Sequence, residues 1–358
     1  AGLDAGIDIY KGLQNQHNFR KSKLSIVAAQ YRLSKMKDDI ALNVANSYLQ
    51  ILFNIENIKV QNEQLAINEK QFTRTEELVK AGSIPRGDLL DIKATVAGDK
   101  QRVINAENTL LISKLSLAQL LQLDDFRNFD IAEADYDVKQ SEVMFQTPEA
   151  IYQKAKDERV EVKIAKTNVA ISEKDVEISR GAFQPTLKGF YSFNTRISYA
   201  DLPKFDASGN FLGLGNPPPF FNQFSDNKGH NFGMQLNVPI FYGFSTRNNV
   251  SRSKVALERS KIALSQSELD LERNVFTAYT DAKGAYNAYE AALLTLEARE
   301  GAFNYAKERY DVGMMNAFDF NQSQSLFANA QSEVLRTKYD YIFKTKIVEF
   351  YFGIQIIK

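Results

Sequence analysis

Phe232-Gly233-Met234-Gln235-Leu236-Asn237-Val238-Pro239-Ile240-Phe241-Tyr242-Gly243-Phe244 is the stretch on which the fold turns. Its even positions are all large and apolar, and its odd positions are small or polar apart from Phe241. Side chains alternate across a strand, so a strand predicted over 232–244 has one apolar and one polar face. Residues 185–199 repeat the pattern, with Leu187, Tyr191, Phe193, Ile197 and Tyr199 against Thr186, Lys188, Ser192, Asn194, Arg196 and Ser198. The N-terminal segment does so again, with Leu3, Ala5, Ile7 and Ile9 against Asp4, Asp8 and two glycines. Strands of a soluble sandwich run to about five or six residues. A tilted membrane-barrel strand needs roughly 9–11 to cross the hydrocarbon layer, so three long strands favour a barrel. Residues 200–230, dense in Gly, Pro, Asn and Asp and including Pro217, Pro218 and Pro219, are predicted as a long polar extracellular loop.

Sliding the chain by 231 positions carries Ile9, Gly12, Asn18, Ser22 and Lys23 onto Ile240, Gly243, Asn249, Ser253 and Lys254 without a gap. Leu65, Phe72, Gly82 and Asp88 land likewise on Leu296, Phe303, Gly313 and Asp319. A gapless match of this extent argues for one structural unit used twice. Each copy then continues in sevens. Val44, Ile51, Ile58, Leu65, Phe72 and Val79, joined by Ala41, Tyr48 and Ile55, correspond to Val275, Ala282, Tyr289, Leu296, Phe303 and Tyr310. The returning rows are Leu89, Val96, Val103, Leu110 and Leu117, and Phe320, Phe327, Val334, Tyr341 and Val348. A sustained seven-residue repeat predicts left-handed coiled-coil packing. No proline or glycine interrupts Asn18 to Ala81, and roughly sixty residues at ~1.5 Å each make a rod about 95 Å long.

The expected organisation is a barrel strand (1–17), a long helical hairpin (18–123), an equatorial belt (124–158), a tunnel helix (159–184), a barrel hairpin (185–244) and a second long hairpin (245–358). The offset puts a leading helix and strand of the first copy before Ala1, so an upstream segment, with any signal peptide, is expected.

Lys plus Arg equals Asp plus Glu at 44 each, so no net field points to nucleic acid. There is no cysteine, which excludes disulfide scaffolds and thiolate metal sites. His17 and His230 stand far apart in polar surroundings and are predicted to be ordinary surface residues. No run of 18 apolar residues encodes a transmembrane helix. No nucleophile–base set, metal cluster or phosphate loop is visible, so neither an enzyme nor a cofactor is expected.

The two turns between the long helices read Val79-Lys80-Ala81-Gly82-Ser83-Ile84-Pro85-Arg86-Gly87-Asp88-Leu89-Leu90-Asp91 and Tyr310-Asp311-Val312-Gly313-Met314-Met315-Asn316-Ala317-Phe318-Asp319-Phe320-Asn321-Gln322. Together with the junctions Ile9-Tyr10-Lys11-Gly12 and Ile240-Phe241-Tyr242-Gly243, they give the chain a resemblance to the TolC-type outer-membrane efflux family over essentially its whole length. The resemblance implies an α+β membrane protein. In that family a homotrimer shares one 12-stranded β-barrel, continuous with a periplasmic α-helical coiled-coil tunnel, and the internal duplication here has its offset of 231. It further implies a passive export duct in the outer membrane of a Gram-negative bacterium. Its partners would be outer-membrane lipid, a periplasmic adaptor and, through the adaptor, an inner-membrane pump.

Glycine suits both turns, because a left-handed reversal costs a residue with a side chain roughly 1 kcal/mol. Ala81, Gly82 and Ser83, and Val312, Gly313 and Met314, are the expected adaptor-docking turns. The resemblance makes Asp88, Asp91, Asp319 and Gln322 the candidate gate, with Tyr310 bonding Asp88 and Arg86 standing in for a family arginine where Met315 is found. Carboxylates gathered at one constriction repel each other and attract cations. Asp88 and Asp319 could equally cap the returning helices. Two other function classes stay open: a structural or adhesive outer-membrane protein with coiled-coil rods, and a soluble coiled-coil scaffold.

Overall fold

Strand β1 (Gly2–Lys11) pairs antiparallel with β2 (Thr186–Asn194) in a computed structural model that describes residues 1–124, 129–132, 138 and 141–354. The other edge of β2 carries β5 (Gly229–Asn237), giving the sheet order β1-β2-β5. Between β2 and β5 lie the hairpin β3 (Leu202–Phe205) and β4 (Phe211–Gly215), and helix α5 (Phe220–Asp226). The long helices are α1 (Gln14–Lys80), α2 (Arg86–Leu120), α6 (Ser245–Asp311) and α7 (Ala317–Tyr351). Helices α3 (Pro148–Glu158) and α4 (Val160–Gly181) precede β2. By contacts the chain divides into two units, Ala1–Gln30 with Ile164–Ser265 and Tyr31–Lys163 with Gln266–Lys358.

In the first unit the register sorts the side chains by face. Ala5, Tyr191 and Phe232 stand side by side, as do Ile7, Gly189 and Met234. That face also holds Leu3, Leu187, Phe193 and Leu236, and Leu3, Ile7, Phe232, Met234 and Leu236 are 64–80% exposed. The opposite face carries Asp4, Asp8, Lys188, Ser192, Asn231 and Gln235. Ile9 is the extra residue of a bulge between Asp8 and Tyr10.

Two strands are shorter than the alternation predicts. The one expected over 232–244 occupies 229–237, and the one expected over 185–199 ends at Asn194. Asn237 pairs with Thr186, next to Pro185, and Pro239 follows two residues on. Neither proline has an N–H for the ladder, so pairing stops there. Beyond Asn194 the backbone is taken up elsewhere: Ser198 N–H donates to Gln223 on α5 at 2.8 Å, and Asn227 donates to the Arg196 carbonyl at 2.7 Å. The segment expected as a long polar extracellular loop over 200–230 contains the β3–β4 hairpin and α5. Asp206 closes that hairpin by accepting the N–H groups of Ser208 and Asn210, each at 2.8 Å.

Helix segments complete this unit. Lys21 of α1 meets Asp175 of α4 at 2.6 Å, while Ser172 and Ser179 of α4 bond Ser260 and Ser253 of α6 at 2.7 Å. The two serines stand seven apart on each helix, so they lie on one face of each. His17 is not the surface residue expected. Its side chain is 18% exposed and its Nδ1 lies 2.8 Å from Glu177. Lys174, and then His17, hold the Glu177 carboxyl below its ordinary value.

At the strand–helix junctions Gly12 and Gly243 both have φ +55°, followed by Leu13 and Phe244 at +58° and +64°. Gly12 also approaches Gly181: a Cβ there would stand 2.1 Å from the Gly181 carbonyl oxygen.

In the second unit α1 and α7 meet at Leu49, Leu52, Tyr339 and Ile342, and α6 and α7 at Phe303, Ala306 and Phe320. Helices α1 and α6 are 67 residues each and α2 and α7 are 35 each, with starts 231 apart in both pairs (245 − 14 and 317 − 86). The apolar seam expected on α1 is only half-buried apart from Ile51, whereas the polar Asn54, Gln64, Asn68 and Thr75 are buried. Asn54 bonds Ser113 at 3.0 Å, and Asn68 donates to Asp99, itself 1% exposed and paired with Arg102. Of the expected belt, 125–128, 133–137 and 139–140 lie outside the described residues. Its described part includes α3, which buries Ile151 and Ala155. Arg159, between α3 and α4, is buried 3.7 Å over the Phe350 ring and near Asp38 (3.5 Å) and Glu161 (3.2 Å). Burial pushes the Asp38 carboxyl up, against the pull of Arg159.

Candidate functional site

Both helical hairpins turn by the same hydrogen-bond pattern. At the first, Ala81, Gly82 and Ser83 donate to the carbonyls of Glu77, Val79 and Leu78 at 2.9–3.0 Å. At the second, Gly313 donates to Tyr310 at 3.0 Å and Met314 to Arg309 at 2.8 Å. Gly82 and Gly313 have φ +76° and +77°. A Cβ at either would meet nothing within 4 Å, so backbone conformation, not crowding, is what calls for glycine.

The returning helices start differently. Asn316 caps α7 by accepting from Asp319 N–H at 2.8 Å, and its amide donates to the Asp319 carboxylate at 2.9 Å. On α2 the cap position is Pro85 at φ −63°, and Asp88 N–H donates to its carbonyl at 3.2 Å. Both aspartates thus sit in the first turn, where the helix dipole favours a carboxylate, but the side-chain cap is Asn316. Small residues, Ala81 and Ser83, flank the first turn glycine. The second is flanked by large exposed ones, Val312 (70%) and Met314 (67%).

A groove of about 1270 Å³ brings Asp88, Asp91, Gln322, Tyr310 and Gly313 together. Asp319, Arg86, Ala81, Gly82, Ser83, Val312 and Met314 are not among its lining residues. The Tyr310 contact is with a different partner from the one the family resemblance implies. Its hydroxyl accepts from the side-chain amide of Gln71, not from Asp88, and its ring stacks on Phe320 at 4.7 Å. The cation is also different. Arg74, rather than Arg86, crosses from α1 to α6, binding the Asp311 carboxylate and, at 3.0 Å, the Asp311 carbonyl. Arg74 also lies 5.9 Å over the Tyr310 ring. Sequence reading missed this set because Arg74 and Asp311 stand 237 positions apart, and only the pairing of α1 with α6 joins them.

Arg74 is engaged by Asp311 and Arg102 by Asp99. Among the described residues Asp88 and Asp91 therefore carry the uncompensated charge of the groove. Such a site can attract cations; its described lining offers no nucleophile paired with a base. Among the described residues no group of His, Asp or Glu is placed to hold a metal, and no helix is long and apolar enough to cross a membrane.

A family model described as outer membrane efflux protein matches residues 1–122 and 151–343. The pyoverdine export outer membrane protein OpmQ of Pseudomonas aeruginosa is 21% identical over 346 residues, covering 94% of this chain and 66% of its own length. The CmeC outer membrane channel of Campylobacter jejuni superposes with a TM-score of 0.79 at 18% identity, over 98% of this chain and 70% of that one. VceC of Vibrio cholerae gives 0.77 at 14%, over 99% and 79%.

Proposed function

Because the chain belongs to the outer membrane efflux protein family, we propose that it forms a passive export duct in the outer membrane and catalyses no reaction. Three copies pool their strands into one 12-stranded barrel, and duplicated helical hairpins extend it as a tunnel into the periplasm. An adaptor docks at the hairpin turns and links the duct to an inner-membrane pump.

The observation that carries this reading is the sheet β1-β2-β5. Its bare apolar face suits lipid, and its outer strands have no further partner among the described residues. In hydrocarbon every backbone group needs a partner, so such a sheet is stable only when strands from other copies close it. The gate lies at the groove between the hairpin ends. Asp88 and Asp91 set its charge, Gln322 takes the place of a second-copy carboxylate, and Arg74–Asp311 with Gln71–Tyr310 hold α1 to α6.

Purified protein in planar bilayers tests the proposal. A cation-selective conductance from a trimer is expected. A protein of trimeric mass that never conducts would favour the structural or adhesive reading.

A further inference from the structure

The polar face of the sheet β1-β2-β5 has one large apolar side chain. Alternate residues there are Asp4, Gly6 and Asp8 on β1, Lys188, Phe190, Ser192 and Asn194 on β2, and Asn231, Gly233, Gln235 and Asn237 on β5. Phe190 is flanked across the ladder by two glycines, Gly6 on one side and Gly233 on the other. Its ring lies over Gly233, where a Cβ would come within 3.0 Å of the ring Cζ. Gly233 thus lets the aromatic lie flat, and 40% of Phe190 remains exposed. The next rung, Asp8, Lys188 and Gln235, faces the same way. A cavity of about 330 Å³ joins the two rungs. Lys188 lies 3.8 Å from Asp8 and is 55% exposed, so its ammonium is held loosely and stays available to an anion.

A single exposed phenylalanine is ordinary in itself, and this one also covers Gly233; what distinguishes it is the cation and the amide one rung away on the same face. An aromatic face with a cation and an amide one rung away matches a flat ring bearing a carboxylate. Stacking supplies the affinity and Lys188 with Gln235 the orientation. We propose that Phe190, Lys188 and Gln235 form a transient binding site on the inner wall of the barrel for planar aromatic anions. This rests on the duct reading, which turns the polar face to the lumen.

Single-channel block in planar bilayers tests it, with 2-naphthoate as probe and cyclohexanecarboxylate, of equal charge but without an aromatic ring, as control. In the unmodified protein 2-naphthoate should interrupt the current at concentrations where cyclohexanecarboxylate does not. Phe190→Leu, which keeps an apolar side chain and should fold normally, should weaken the block about three- to tenfold, the worth of one aromatic contact. Lys188→Gln should weaken it further while leaving the control anion unaffected. Equal block by both anions, or equal block in Phe190→Leu and the unmodified protein, would overturn the site while leaving the duct intact. Absence of any conductance would overturn both.

Discussion

Replacing Arg74 by Ala removes the cation that joins α1 to α6 next to the groove. Both members of the pair are about half exposed, Arg74 at 44% and Asp311 at 47%. Screening therefore keeps the ionic contact near about 0.5 kcal/mol. The second hydrogen bond, from Arg74 to the Asp311 carbonyl, adds about 0.5 kcal/mol. If three copies must release together to widen the duct, the free-energy cost of the open state falls by about 3 kcal/mol, or roughly a hundredfold in the open-to-closed ratio. Asp311→Asn removes the charge but leaves the carbonyl, so its effect should be about half as large in free energy, near tenfold. The assay is open probability of single channels in planar bilayers, in 0.1 M and then 1 M KCl. At about 1 M the Debye length shrinks to about 3 Å, so the unmodified protein should drift toward the Asp311→Asn value. An Arg74→Ala channel that opens no more often than the unmodified one would refute the latch. A gap between unmodified and Asp311→Asn channels that is undiminished at high salt would refute its ionic nature.

Three further outcomes are expected. Gly82→Ala and Gly313→Ala should each lower stability by about 1 kcal/mol, since both glycines have φ near +76° in open space; chemical denaturation reads this directly. Gly12→Ala should prevent normal folding because its Cβ would strike the Gly181 carbonyl, whereas Gly243→Ala, with nothing within 4 Å, should show only the conformational cost of about 1 kcal/mol; comparing the yield of folded protein by circular dichroism separates them. The carboxyl of Glu177 is held below its ordinary 4.5, chiefly by its bond to Lys174, so its contribution is present above that pH and disappears as pH falls through the lowered value. Glu177→Gln should flatten the acid limb of the unfolding profile, with a loss under about 1 kcal/mol at pH 7 because the side chain is 37% exposed.

The helices were legible because their signal is redundant: sixty residues of heptads and a glycine at each turn mark start and end several times over, though not which face of α1 is buried. Strand existence was legible from alternation, but strand ends were not. Alternation in Val238, Ile240 and Tyr242 continues past the last ladder bond, because side-chain pattern says nothing of whether a neighbouring backbone can still pair. At the groove, Asp88, Asp91, Gln322 and Tyr310 could be named once the two turn motifs were matched to the family they resemble. Gln71 and Arg74 could not, since nothing local distinguishes them from any other polar residues on a long helix. Asn54, Asn68 and Thr75 were invisible for the opposite reason: a polar residue seven apart from another reads as a solvated face, and here the face is internal.

That inversion on α1 bears on how the protein is made. A chain that turns Asn54, Gln64, Asn68 and Thr75 inward while presenting Phe19, Ile26, Leu33 and Ile40 to its surroundings is poorly equipped to survive alone in water. While the chain folds, such an uncovered apolar stripe is a liability for aggregation.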